Sequence, residues 1–250
     1  MRNTLQLSNG NQGFNEIGQL AGVAATDWSW SPLMADFDND GFCDIFISNG
    51  IQRDLNDLDF FVYTADSINR SGGISKNRFP DFNDFAKMMP SEAVHNYAFR
   101  NNGSLQFEDV SSAWGFDKKG FSNGAAYSDL DNDGDLDLIT NNLQSAPAIY
   151  ENKAVGMNGN KWLQIKCTGT VKNPFGIGAV VRVYGAKDQG KSKLLYSAEM
   201  TNIRGFYSSA EPVFQIGLGT TEAIDRLEID WLENKHQVLY NLTVNQRITL

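Results

Sequence analysis

The sequence predicts an all-β protein with two parts, and three observations support this expectation. Turn-forming glycine and asparagine residues separate many short apolar runs. Part of the first half recurs at a fixed interval, in a unit long enough for about four strands. After residue 160, strand-like runs follow one another with no helical pattern between them. We therefore expect a partial β-propeller over residues 1–155, made of two blade-like repeats with a partly helical insertion, and a β-sandwich over residues 160–250.

The internal repeat is the clearest feature of the first part. Two acidic stretches begin at residues 36 and 129, so their offset is 129 − 36 = 93 residues. The same offset relates Asn9-Gly10 to Asn102-Gly103 and Phe14 to Phe107. Each unit has the turn signals and short alternating runs of antiparallel strands, and about four strands make one propeller blade.

Both acidic stretches have the composition of a calcium-binding loop. Each has aspartate at positions one, three, five and nine and glycine at position six, where the backbone turns sharply. Calcium takes six to eight oxygen ligands, which a tight loop supplies from alternate residues, including a backbone carbonyl at position seven. We therefore expect two Ca²⁺ ions, one per loop. The predicted ligands are Asp36, Asp38, Asp40, Phe42 and Asp44 in the first loop and Asp129, Asp131, Asp133, Asp135 and Asp137 in the second.

Two other interpretations of these loops compete with calcium binding by a strand-to-strand loop. An EF-hand needs an acidic residue at position twelve and a helix on each side, but position twelve is Ile47 or Thr140 and β-type runs follow. Simple Asp-Gly hairpin turns with solvated acids would explain the Asp-Gly pair. They would not explain four spaced aspartates that recur with the same neighbours.

Composition and charge exclude several functional classes. The net charge is -9, and nine aspartates lie in the two loops, so the acidity is typical of a metal site rather than of a general anionic surface. Without a basic cluster, nucleic acid is not an expected partner. Nothing resembles a membrane span or a signal peptide. Cys43 and Cys167 are expected to be buried free thiols.

The sequence shows no group of residues at the spacing that a catalytic site needs. His95 and His236 are far apart and lack companions at ligand or triad spacing. The aspartates of the loops are better used by calcium than as a glycosidase pair. We therefore expect a protein that is not an enzyme.

An insertion over residues 50–94 separates the two repeats. Leu55, Leu58, Val62 and Ala65 recur at helical spacing after Asp54, which is a plausible N-cap. A second helical segment is expected between Pro80 and Pro90. The insertion is either an elaborated loop with its own apolar patch or a binding loop over one face of the propeller.

Seven strands are predicted in the second part, and glycine or asparagine residues separate them. They are residues 161–167, 177–184, 194–203, 213–216, 224–231, 237–240 and 247–250.

With these motifs in view, the chain resembles a known arrangement. The acidic loops and the Asn-Gly and Phe positions before them resemble the FG-GAP/VCBS repeats of integrin-α-type propellers. Residues 175–183 (FGIGAVVRV), 204–206 (RGF), 215–219 (QIGLG) and 227–231 (LEIDW) resemble the ASPIC/UnbV domain. Their order is similar to that in the cartilage acidic protein family.

The resemblance implies a calcium-binding extracellular or cell-surface module that acts in binding or as a scaffold. A closed propeller takes four to eight blades. We therefore expect this chain to be the C-terminal part of a longer secreted protein, with further blades or self-association covering its open strand edges. A protein or glycan ligand is expected. The alternative is a polysaccharide-active enzyme or its carbohydrate-binding portion.

Overall fold

The structure is a computed structural model that describes residues 2–10, 13–54, 56–70, 86–188 and 191–250. It is mostly β, with several antiparallel sheets, which confirms the predicted fold class of a partial propeller followed by a sandwich. Among the described residues, the first part contains nine strands in three sheets. They are β1 (Gln6–Ser8), β2 (Phe14–Glu16), β3 (Ser29–Ala35), β4 (Asp44–Asn49), β5 (Tyr97–Asn101), β6 (Phe107–Asp109), β7 (Ser122–Ser128), β8 (Asp137–Asn142) and β9 (Ala148–Tyr150).

The sheets do not coincide with the sequence repeats, which corrects the expectation that one repeat folds into one blade. The first blade has the order β3-β4-β5-β6, so its inner strands come from the first repeat and its outer hairpin from the second. The second blade is β7-β8-β9, and β1-β2 is an outer hairpin by itself. The physical reason is that β4, which follows the first acidic loop, pairs with β5, which begins the second repeat.

Apolar side chains fill the spaces between these sheets. Leu33 and Phe46 of the first blade pack with Ala125 and Leu138 of the second in one buried cluster. A second cluster, which includes Val23, Ile45 and Phe99, lies between the first blade and the β1-β2 hairpin. The blades therefore stack face to face, as the hydrophobic faces of twisted sheets require.

The insertion is helical in part, but the predicted N-cap residue is wrong. Helix α1 (Leu58–Arg70) begins after Asp57, whose Oδ1 accepts a 2.8 Å hydrogen bond from the Phe60 amide. Asp57, not Asp54, is therefore the capping residue. Leu58 and Val62 lie in α1, as their helical spacing predicts, and their side chains are 74% and 68% exposed.

The other predictions in the insertion are only partly covered by the described residues. Among the side chains of α1 that the structure describes, Thr64 is buried. Leu55, the side chain of Ala65 and most of the second predicted segment lie outside the described residues, although residues 86–88 are helical.

The second part begins after a short helix, α2 (Ala154–Asn158), and all seven predicted strands are present. They are β10 (Lys161–Lys166), β11 (Val180–Asp188), β12 (Lys191–Glu199), β13 (Val213–Gly219), β14 (Ala223–Trp231), β15 (Lys235–Thr243) and β16 (Gln246–Thr249). Sheets of order β13-β10-β16 and β12-β11-β14-β15 enclose one core. β10 and β16 pair in parallel, which the sequence did not indicate.

Two remaining expectations concern the cysteines and the membrane. Cys167 is buried in the sandwich core, as expected, but Cys43 is exposed in the first acidic loop, which corrects that part of the prediction. Both thiols are free. Among the described residues, no helix has the length and apolar character needed to cross a lipid bilayer.

Candidate metal centre

The two acidic loops connect the inner strands of the two blades, β3 to β4 and β7 to β8. They have the same internal hydrogen bonds. The amide of Asp40 donates to Asp36 Oδ1 at 3.1 Å, and the amide of Gly41 donates to Asp36 Oδ2 at 2.8 Å. In the second loop the amides of Asp133 and Gly134 donate in the same way to Asp129, each at 3.1 Å. The first aspartate therefore organises each loop around its own carboxylate.

Asparagine at position four is the second shared feature of the loops. Asn39 and Asn132 have left-handed backbone conformations, with φ of 58° and 62°. Asparagine adopts this conformation more readily than most residues because its short polar side chain bonds locally. Together with the positive φ of the glycine two residues later, it turns the chain sharply between the acidic residues.

The aspartate at position nine ties each loop to the following strand. Asp44 accepts hydrogen bonds from the amides of Phe37 and Asn101, at 3.0 and 2.8 Å. Asp137 accepts equivalent bonds from Leu130 and Asn152, both at 2.8 Å. These bonds close the loop at its base.

Each loop gathers three carboxylates whose oxygens lie within 4.8 Å of one another. The sets are Asp36, Asp38 and Asp40 in the first loop and Asp129, Asp131 and Asp137 in the second.

The other predicted ligands lie close by but outside these sets. Asp44 is held by its two backbone donors, and Asp133 Oδ1 accepts from the Asp135 amide at 3.1 Å. The side chain of Asp135 points toward α2, where Oδ2 accepts from the Val155 amide at 3.0 Å. Phe42 and Asp135 were assigned through their carbonyl oxygens, and that assignment stays a prediction.

Electrostatics make both loops unfavourable places for bare carboxylates. Burial raises the pKa of Asp36 to about 8 and that of Asp44 to about 7, and the neighbouring aspartates add to both shifts. Burial also raises the pKa of Asp40, Asp133 and Asp135, the last to about 7. A shift of this direction means that the charged form lacks compensating positive charge.

The donor set fits a hard divalent cation. Carboxylate and carbonyl oxygens are the ligands that Ca²⁺ prefers, and the loops offer no sulfur or imidazole ligand at this spacing. Asp135 is 1% exposed, and within the described parts of the chain its Oδ1 has no hydrogen-bond partner. Buried, crowded and partly unsatisfied carboxylates are what a bound cation would neutralise. The residues present therefore fit calcium, which stays a prediction.

The first loop also carries an arginine. Arg100 Nε lies 2.7 Å from Asp38 Oδ2, and Arg100 Nη2 lies 3.6 Å from Asp40 Oδ2. The nearby Asp38 carboxylate raises the pKa of this guanidinium. A cation that binds the first loop must therefore share Asp38 with Arg100.

The two loops face each other and pack against the sandwich. Asn39 Nδ2 of the first loop donates to the Gly134 carbonyl of the second at 3.1 Å. From the sandwich, Gln215 Nε2 donates to the same carbonyl at 2.7 Å, and Gln164 Nε2 donates to Asp129 Oδ2 at 2.5 Å. The sandwich therefore bonds directly to a predicted calcium ligand.

Two close approaches show how tightly this junction is packed. A Cβ added to Gly217 of β13 would lie 2.7 Å from the Asn39 Cα and closer still to Asp36 Oδ2. A Cβ added to Gly134 would overlap the ring of Trp162 on β10. The sandwich therefore approaches the first loop closely at Gly217, and the second loop approaches the sandwich closely at Gly134.

Sequence reasoning missed Asn39, Gln164 and Gln215 as residues of this site. Asn39 had a signal, since it occupies the same position as Asn132 in both loops. Gln164 and Gln215 alternate with core residues of β10 and β13, and in sequence this alternation indicates a solvent-facing side of the sheet. Only the position of the blades shows that this side is covered.

Fold and loops together define a protein in which propeller-type repeats with acidic loops precede a β-sandwich, and the comparisons agree. Residues 1–47 match the FG-GAP-like repeat, and residues 169–250 match the ASPIC and UnbV domain. The chain therefore contains both kinds of unit in the predicted order, which confirms the resemblance. The first acidic loop lies within the matched residues, whereas the second lies outside them.

Two curated relatives are similar in sequence to most of the chain. The chain is 25% identical to cartilage acidic protein 1 of Homo sapiens over 205 residues and 25% identical to that of Xenopus tropicalis over 206 residues. Each alignment covers 81% of this chain and 25% of the relative. The chain is thus distantly related to these proteins and spans about a quarter of their length.

Proposed function

We propose that this chain is a calcium-stabilised extracellular module that serves in binding or as a scaffold. The observation that carries the proposal is the pair of matching loops, each with three convergent carboxylates. The FG-GAP-like repeat and the relationship to cartilage acidic protein 1 support an extracellular setting, where calcium is abundant enough for low-affinity modules.

The protein's own residues would use calcium to hold the junction together. Bound calcium supplies positive charge that offsets the mutual repulsion of the clustered carboxylates. Asp36 and Asp129 organise the loops, while Asp44 and Asp137 tie them to the next strand. Binding to the folded state alone adds about 2.7–4.1 kcal/mol per site at a 100- to 1,000-fold excess over Kd.

The direct test is calcium-dependent unfolding of Asp131→Ala. Asp131 is exposed, so its loss leaves the packing of the calcium-free protein intact. We expect unchanged melting without calcium and a loss of about 5–16 °C of the calcium-induced increase in Tm. Glu222→Ala removes an exposed acid outside the loops and serves as the matched control. Equal calcium dependence in the two variants would argue against the second loop as a calcium site.

We further propose that the module has no catalytic activity. In support, His95 Nδ1 lies 2.8 Å from the Asn96 carbonyl in the blades, and His236 Nδ1 lies 2.6 Å from Asp230 Oδ1 in the sandwich. Each imidazole thus has a local partner in a different part of the fold. A panel of polysaccharides incubated with the calcium-loaded protein should release no product. Product release that disappears in a single-residue variant would support the enzyme instead.

A further inference from the structure

A groove of about 750 Å³ lies between the two blades. Its walls include Phe46, Trp114, Phe116 and Tyr150, and Lys153 and Met157 lie on the side of α2. The Phe116 ring is 4.8 Å from the Tyr150 ring and 5.1 Å from the Phe46 ring, measured between centroids, so the wall is a continuous aromatic surface. Volumes and apolar linings of this kind are typical of binding sites.

The internal repeat shows what fills the equivalent space in the first blade. β4 pairs with β5 through Ile45 and Phe99, and β8 pairs with β9 through Leu138 and Tyr150. Ile45 and Leu138 are 93 residues apart, so the two pairs have the same register. β9 is therefore the structural counterpart of β5.

β5 has an outer neighbour, whereas no strand of the described residues pairs with the outer side of β9. On its outer side β5 pairs with β6, with Arg100 opposite Glu108 and Asn101 opposite Phe107. In the described parts of the chain, β9 pairs with β8 alone, and Ile149 at its centre is 67% exposed. The chain that follows β9 forms α2 instead of a fourth strand.

Phe107 shows how a fourth strand would use the groove. Its amide donates to the Ala21 carbonyl at 3.0 Å, and its ring packs on the cluster that contains Ala21 and Val23. The 93-residue offset maps Ala21 and Val23 onto Trp114 and Phe116, which line the groove. The groove is thus the position that an aromatic side chain such as Phe107 would occupy in a completed blade.

We propose that the second blade binds an extended segment of a partner protein, which adds as a fourth strand beside β9 and inserts an aromatic side chain into the groove. Strand addition supplies affinity through main-chain hydrogen bonds, and the pocket supplies specificity for the side chain. Asn152 donates its amide inward to Asp137 at 2.8 Å. The alternation of an extended chain then directs the Glu151 amide outward, toward the incoming strand.

The experiment uses a synthetic peptide of residues 104–112 (SLQFEDVSS), which is the β6 segment of this chain. The peptide is titrated into the full chain in calcium-containing buffer, and binding is followed by calorimetry and by the amide resonances of β9. We expect saturable binding at peptide concentrations up to about 1 mM. A peptide with Phe107→Ser should bind at least about tenfold more weakly, because it loses the buried ring.

A protein variant tests the strand edge separately. Glu151→Pro removes the outward donor and should abolish peptide binding, whereas Glu151→Ala should retain it. The Phe107→Ser peptide keeps the test decisive if Glu151→Pro does not fold.

Three results would overturn the proposal. They are no binding, equal binding of both peptides, or resonance shifts confined to the sandwich. Phe14 of β2 is the repeat counterpart of Phe107. If the chain associates with itself and Phe14→Ser abolishes this association, the groove binds a second copy of the chain instead. Calcium binding is measured independently, so failure here leaves the proposed function unaffected.

Discussion

Gly217 offers the sharpest test of whether the sandwich and the first acidic loop form one unit. A methyl group at this position would lie 2.7 Å from the Asn39 Cα, whereas ordinary contact begins at 3.4 Å. The strand β13 and the loop must therefore separate by at least about 0.7 Å, and Asp36 must move further because its Oδ2 is closer still. Forced overpacking of this kind costs about 1–3 kcal/mol.

Two measurements follow for Gly217→Ala. The melting temperature should fall by about 2–12 °C, as expected for a chain of this size. Calcium affinity of the first loop should fall as well, because Asp36 organises that loop. Calorimetric titration in an Asp131→Ala background reports the first loop without interference from the second.

The matched control is Gly120→Ala. An added Cβ at Gly120 would meet nothing within 4 Å, so stability and calcium binding should be unchanged. If Gly217→Ala melts within about 1 °C of the unmodified protein and binds calcium with the same affinity, Gly217 does not pack against Asn39 and Asp36 of the first loop.

Three further predictions concern the same junction. Gln164→Leu removes the donor to Asp129 and should weaken calcium binding in the second loop by about 10- to 100-fold, which calorimetry measures directly. Arg100→Gln removes the cation beside Asp38 and should strengthen first-loop binding about two- to fivefold at low salt. Burial raises the pKa of Asp36 to about 8 and of Asp44 to about 7 in the folded protein, above the unfolded value of about 3.9. The folded state then binds more protons, so the calcium-free protein should lose stability as pH rises from about 4 to 8, and calcium should raise Tm more at pH 8 than at pH 6. Calcium-free stability that increases over this range would contradict the pKa shifts.

Local sequence signals predicted most of the secondary structure. Strand alternation identified all seven sandwich strands, because one face of each strand contributes to a single core. The acidic loops were placed between strands because apolar β-type residues follow both of them. These features depend on neighbours in sequence, so a single chain reveals them.

The errors arose where neighbours in space decide the outcome. The assignment of strands to blades depends on which strand pairs with β4. That strand is β5, and 47 residues separate Asn49 at the end of β4 from Tyr97 at the start of β5, a distance that no local sequence pattern spans. In α1 the apolar spacing of Leu58 and Val62 indicated a helix, but it did not indicate that both side chains are exposed. Periodicity identifies a helix and does not identify what lies beside it.

The polar residues at the junction between the loops and the sandwich, Gln164 and Gln215, could not be recognised as site residues from the sequence. A strand of alternating apolar and polar residues is typical of a sheet with one wet side, and β10 and β13 have this pattern. Here the polar side is covered, and Gln164 is 2% exposed against a carboxylate that it must satisfy. This buried donor on a predicted metal ligand links calcium binding to docking of the sandwich. A cation that orders Asp129 also favours docking of β10, because Gln164 of β10 donates to Asp129. Calcium affinity and attachment of the sandwich should therefore rise and fall together, which neither unit alone would show.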